Sequence, residues 1–280
     1  MPNLMPNGLA LSRHVVAAFA VAGSLFGTLP AHAIVNGTPT TSFAAVGELG
    51  GTSGVLIADN WVLTAAHVTN ALTVGASSFV SLEGSSLIDA IYTFSSAGFP
   101  SNDIALVHLS TSLDIATPIL NDVVITSSQV ASLGPLTMAS AQNQSPNGRA
   151  ITTAHDLAST YTLDDGASVT VNWLITRGQN LLQGGDSGSA LFLGEASDSA
   201  GEVLAGIGSA ILLNDTTGAQ ESSAYVQVAS YRSWIDATMA SSGQQAIWVS
   251  SVPEPSSLLL CALGGLAILA RRSGHFGQNG

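Results

Sequence analysis

A serine hydroxyl is a poor nucleophile at neutral pH. It becomes a good one beside a base whose tautomer is fixed by a third group. Three segments of this 280-residue chain hold the residue types such an arrangement needs. Trp61-Val62-Leu63-Thr64-Ala65-Ala66-His67 puts a histidine just beyond a strand-like run. Asn102-Asp103-Ile104-Ala105-Leu106 puts a carboxylate at the head of an apolar run, and Gly184-Gly185-Asp186-Ser187-Gly188 puts a serine in a glycine-rich turn. His67 can take the Ser187 proton and Asp103 can orient His67. The glycines allow a tight turn in which the N–H groups of Gly185 and Ser187 converge on one point, where the negative oxygen of a tetrahedral intermediate would sit. Other candidates weigh less. His108 alternates with apolar neighbours as a surface or packed side chain, His155-Asp156 reads as a loop pair, and Asp164-Asp165 reads as a solvated turn.

These residues need a scaffold of short strands. Ser53–Ala58 and Trp61–Thr64 flank an Asp59-Asn60 turn, and Ile104–Leu109 and Val169–Ile175 are rich in β-branched residues. Val203–Leu213, broken by glycines, predicts a strand pair. One helical stretch, Ala229–Met239, could place Tyr231, Trp234, Ile235 and Met239 on a common face. Many short strands over some 200 residues predict an all-β barrel or sandwich.

In the order His, Asp, Ser, the TAAH, DIAL and GDSG blocks resemble the signature segments of the chymotrypsin-like (trypsin family) serine peptidases. Ile34-Val35-Asn36-Gly37 resembles the mature N-terminus of that family. Ala205–Ser209 resembles the segment ending in the serine that supports the catalytic aspartate, and Ala224–Val228 resembles the last strand. The resemblance implies an all-β fold of two six-stranded antiparallel barrels with a C-terminal helix, over residues 34–240. The boundary between barrels would fall near 125–140, and a linker would follow at 241–251. It implies a serine endopeptidase that works through an acyl-enzyme on protein or peptide substrates, with no cofactor and no metal. His67, Asp103 and Ser187 would form the triad, and Gly185 and Ser187 the oxyanion hole. The freed Ile34 ammonium would pair with Asp186. Leu181, Ser209, Ile211 and Ser223 would line the substrate pocket. Leu181 is not acidic and Ile211 is bulky, which points to small or apolar side chains before the cut. The chain departs from the family in having no cysteine beside His67, Ser189-Ala190 after Gly188, and Ser209-Ala210-Ile211 as its substrate segment. The alternative is a catalytically silent cell-surface or matrix protein that retains the fold; an esterase using the same triad is a third reading.

Both ends read as address labels. Arg13, an apolar run from Val15 to Phe26, and Pro30-Ala31-His32-Ala33 match an export signal over residues 1–33. Cleavage after Ala33 would itself expose Ile34, so no separate zymogen is needed and the precursor, with an amide at Ile34, is expected to be inactive. An unperturbed α-amino group titrates near pH ~8, and pairing with Asp186 would raise that value, so activity is expected to fall at alkaline pH. Residues 252–280 resemble a PEP-CTERM sorting signal: Val252-Pro253-Glu254-Pro255, an apolar stretch from Leu258 to Ala270, then Arg271-Arg272. Signal peptidase and an exosortase-type enzyme are the implied processing partners. The implied destination is the surface or matrix of a Gram-negative bacterium, with transient membrane anchoring through this tail alone.

Composition agrees with export and excludes other roles. The formal net charge is −12, and every base is arginine, with no lysine anywhere. A basic nucleic-acid surface is excluded. The one cysteine, Cys261, lies in the tail, so the core must be held by packing without a disulfide.

Overall fold

The computed structural model describes residues 33–96, 99–141, 147–163, 166–214 and 216–250. The expected export signal before Ala33, the sorting tail with Cys261, and the Asp164-Asp165 pair lie outside the described residues.

The first half closes into a barrel. Strands β2 (Val46–Leu49), β3 (Thr52–Ala58), β4 (Trp61–Thr64), β5 (Ser78–Val80), β6 (Ser85–Thr93) and β7 (Ala105–Leu109) pair antiparallel in the cyclic order β2-β3-β4-β7-β6-β5. Successive strand residues face opposite sides of a sheet. Early β6 obeys this strictly: Ser86 and Ile88 are buried, whereas Ser85, Leu87 and Asp89 are exposed. All four residues of β4 are buried, so both of its faces are covered. Trp61 lies against the rings of Tyr92 and His108, and its indole N–H donates to Ser242 Oγ at 2.9 Å. His108 is thereby packed on Trp61, with its ring nitrogens on Asp89 and Asn60.

β1 (Thr38–Thr40) leaves the first barrel to pair with β10 (Asn147–Thr162). The chain passes to the second half after Leu109 and joins its sheet at β8 (Ile119–Asn121), ahead of the 125–140 expected for the boundary. A short helix, α1 (Ser127–Val130), follows. The second sheet is a ring: β9 (Pro135–Ser140), β10, β11 (Ser168–Arg177), β14 (Gln220–Gln227), β13 (Val203–Leu213) and β12 (Ala190–Leu193), with β12 returning to β9. β13 is one continuous strand, not the expected pair. Its glycines let neighbours pack closely: a side chain at Gly206 would meet Tyr225 Cβ at 2.9 Å. His155 lies within β10, not in a loop.

The expected helix forms as a 3-10 turn, Val228–Tyr231, running into α2 (Arg232–Met239), with Tyr231, Ile235 and Met239 buried and Trp234 partly so. Residues 241–250 are not a free linker. β15 (Trp248–Val249) adds to β8 in parallel, Trp248 Nε1 donates to Asp236, and Ser250 Oγ donates to Asp122. No helix among the described residues is long and apolar enough to cross a membrane.

Candidate active site

β4 runs into a 3-10 turn, Ala66–Ala71, which carries His67. Asp103 sits just ahead of β7 and is 1% exposed. Its Oδ1 accepts the His67 backbone N–H at 2.9 Å, and its Oδ2 accepts His67 Nδ1–H at 2.8 Å. A carboxylate can only accept, so the imidazole proton is on Nδ1. That leaves the Nε2 lone pair facing Ser187 Oγ at 2.8 Å, in position to receive the hydroxyl proton. The Phe99 ring stands edge-on to the imidazole, centroids 5.2 Å apart.

A third donor reaches the carboxylate. Ser209 Oγ donates to Asp103 Oδ2 at 2.7 Å. The pairing of β13 with β14 slips between Gly208 and Ala210, so Ser209 is the extra residue of a bulge, and the bulge turns its side chain toward the triad. Ser209 was expected among the pocket residues; its hydroxyl is committed to Asp103.

The Ser187 turn depends on glycine. Gly185 has φ +100° and Gly188 has φ +82°. A Cβ at Gly188 would lie 1.9 Å from Ser53 O and 2.3 Å from Thr64 Oγ1. Ser53 N–H in turn donates to Ser187 O at 2.8 Å, fixing the Ser187 backbone to the first barrel. Asp186, Gly188 and Ser189 all donate their N–H groups within the second half. Among the described residues those of Gly185 and Ser187 make no hydrogen bond, which leaves both donors open.

Asp186 is fully buried. Its Oδ2 accepts from Ile34 N at 3.0 Å and from Gln183 N at 2.8 Å. Ile34 is itself fully buried, in a cluster with Leu136, Met138, Leu174, Leu182 and Tyr225. In the continuous chain its nitrogen is an amide and its φ is +67°, an unfavourable value for a β-branched residue. Cutting the Ala33–Ile34 bond abolishes that torsion and turns the same nitrogen into an ammonium.

The remaining expected pocket residues fall near one another. Leu181 is 8% exposed and its carbonyl accepts from Val35 N at 2.9 Å. Ser223 Oγ accepts from Leu182 N at 2.8 Å, and Ile211 pairs with Ser223 across β13 and β14 while packing on the cluster that holds Leu182 and Tyr225. Two features escaped the sequence reading. Tyr231 OH donates to Asn102 Oδ1 at 3.0 Å, holding the residue before Asp103 in a left-handed conformation, φ +48°. Burial, with the Asp103 charge second, pushes the Tyr231 phenol up to about 12. Burial, then Asp186, raises the Tyr225 phenol as well. A tyrosine 128 residues from Asp103 gives no local signal. The adjacent Asn102, a residue type that tolerates positive φ, was the available one.

Residues 251–273 match the PEP-CTERM protein-sorting motif. No curated protein matches the chain. Among solved structures, the VesB protease of Vibrio cholerae aligns over 75% of this chain and 68% of its own at a TM-score of 0.51 and 18% identity, a likeness of fold. The trypsin family model matches residues 34–235, the region that carries both barrels and every site residue above, and the chain belongs to the trypsin family.

Proposed function

We propose that this chain is an exported serine endopeptidase that works through an acyl-enzyme. The observation that carries the reading is the unbroken hydrogen-bond line Asp103–His67–Ser187, with contacts of 2.8 Å on both sides of the imidazole. Ser187 attacks the scissile carbonyl as His67 takes its proton. Gly185 and Ser187 N–H stabilise the oxyanion, and His67 returns the proton to the leaving amine. Water then repeats the sequence on the ester. The apolar surroundings of Leu181, Leu182 and Ile211 support cleavage after small or apolar residues; a peptide library cut mainly after arginine overturns that preference.

Export processing after Ala33 makes Ile34 the N-terminus and places a charge against Asp186. The PEP-CTERM tail directs the protein to an exosortase-type enzyme and on to the cell surface or matrix of a Gram-negative bacterium. N-terminal sequencing of the secreted protein checks the first step; a start several residues from Ile34 removes it.

Reaction with a fluorophosphonate separates an enzyme from a silent scaffold. Label on Ser187 is expected, and Ser187→Ala should lower turnover by roughly a millionfold with the fold intact. An unlabelled wild type, or full turnover in the variant, overturns the mechanism.

A further inference from the structure

Asp186 is held by its second oxygen as well as its first. Ser140, the last residue of β9 and fully buried, donates its hydroxyl to Oδ1 at 2.6 Å, while Ile34 and Gln183 use Oδ2. Ser53 Oγ lies 2.9 Å behind Ser140 Oγ, across the junction of the two barrels. Ser53 is itself clamped: its single proton is shared between Ser140 Oγ and Ala141 O, the latter at 2.7 Å, and its oxygen accepts Ala141 N–H at 3.0 Å. The carboxylate has no proton to give, so the single proton of Ser140 points at Asp186 and its lone pairs face Ser53. The carbonyl of Ser187, the residue after Asp186, then accepts from the backbone N–H of the same Ser53. A line of hydroxyls thus runs from the first barrel to the carboxylate that shapes the Ser187 turn, independent of residue 34.

We propose that Ser140 is a positioning residue that keeps Asp186 inward without help from the Ile34 ammonium, so the Ser187 turn stays assembled when that charge is absent. The proposal rests on the peptidase reading above. It revises the expectation of an inactive precursor: there Ile34 would offer Asp186 only an amide, and the Ser140 bond to Oδ1 does not depend on residue 34. Outward rotation of Asp186 would break the Oδ1 bond and take from the buried Ser140 hydroxyl the acceptor it uses. Loss of a proton at Ile34 touches only Oδ2.

The composition supplies a clean test. The chain has no lysine, so the N-terminal amine of the secreted enzyme is its one amine. Cyanate converts it to a carbamyl group, verified by a single mass addition at Ile34. The added group fits where Ala33, 1% exposed, sits in the continuous chain. The readout is the rate of fluorophosphonate labelling at Ser187, before and after carbamylation. Wild type should keep at least about a tenth of its rate. Ser140→Ala should lose about a hundredfold on carbamylation, and its activity should fall more steeply than wild type as pH rises through the α-amino range. Ser140→Thr, which restores the hydroxyl, should respond like wild type. Carbamylated wild type dropping to background overturns the proposal without any variant, as does an equal loss in wild type and Ser140→Ala. Unmodified wild type that never labels overturns the peptidase reading and this proposal with it; labelling that is normal until carbamylation isolates the failure to Ser140.

Discussion

Removing the Ser209 hydroxyl isolates one of the three hydrogen bonds that the Asp103 carboxylate receives. The other two both come from His67, one to each oxygen. A bond to a buried charged acceptor contributes about 1.5–3 kcal/mol. Ser209→Ala should therefore cost about 2 kcal/mol of stability, a drop in melting temperature of about 4–8 °C for a domain of this size. Alanine fits the site, since it only deletes an atom. The catalytic cost should be smaller than the stability cost. Both remaining donors belong to His67, so the imidazole keeps its orientation and tautomer, and the imidazolium formed in the transition state still meets the full charge of Asp103. A fall in kcat of about tenfold or less is expected with KM little changed, against about ten-thousandfold for Asp103→Asn, which presents the wrong tautomer. Thermal unfolding with stopped-flow turnover of a peptide ester measures both. A folded Ser209→Ala enzyme as damaged as Asp103→Asn would show that the imidazole is not held by its own two bonds, and the division of labour argued here would be wrong. Unchanged melting and unchanged turnover would refute the Ser209 bond itself.

Three further outcomes follow from the geometry. Gly188→Ala places a methyl carbon on Ser53 O in a backbone conformation that side chains rarely adopt, so it should lose several kcal/mol and express as insoluble protein; a soluble, labelled variant contradicts the turn described. The Tyr231 phenol, raised to about 12 in the fold against about 10 unfolded, contributes stability that is complete below pH ~10 and is lost as pH climbs toward 12. Tyr231→Phe should thus be about 1 kcal/mol less stable at pH 7, where it lacks the bond to Asn102, and should close that gap above pH ~10 in a denaturant titration. Residues 34–251 contain no cysteine, so dithiothreitol should leave the unfolding midpoint where it is; a shift would reveal a bond through Cys261.

What the sequence made legible was local. The strand before His67, the turn around Ser187 and the helix face of Tyr231, Ile235 and Met239 each follow from residue types a few positions apart, and each appears where expected. The fold as two barrels came from the family resemblance, because alternation predicts strands and not their closure. What stayed hidden depends on pairs far apart in the chain. Ser140 is one serine among many until β9 brings it beside Asp186, 46 residues on. The role of Ser209 was read from its segment, but only the slip in the β13–β14 register explains how the side chain reaches Asp103. β15 was missed because Ser, Gly and Gln around residues 241–245 read as spacer, and two residues of strand give no periodicity.

That small strand sets how far the sorting tail can reach from the folded body. The chain is pinned to the body through Ser250, and the apolar stretch of the tail begins at Leu258. Even fully stretched, the intervening residues reach only about 27 Å, at ~3.4 Å each. Were the tail lodged in a bilayer, as the proposed export route implies, the folded body would be held within that reach of the lipid. On the proposed route, removal of the tail would then change which polypeptides the enzyme can meet, from those at the membrane to those beyond it.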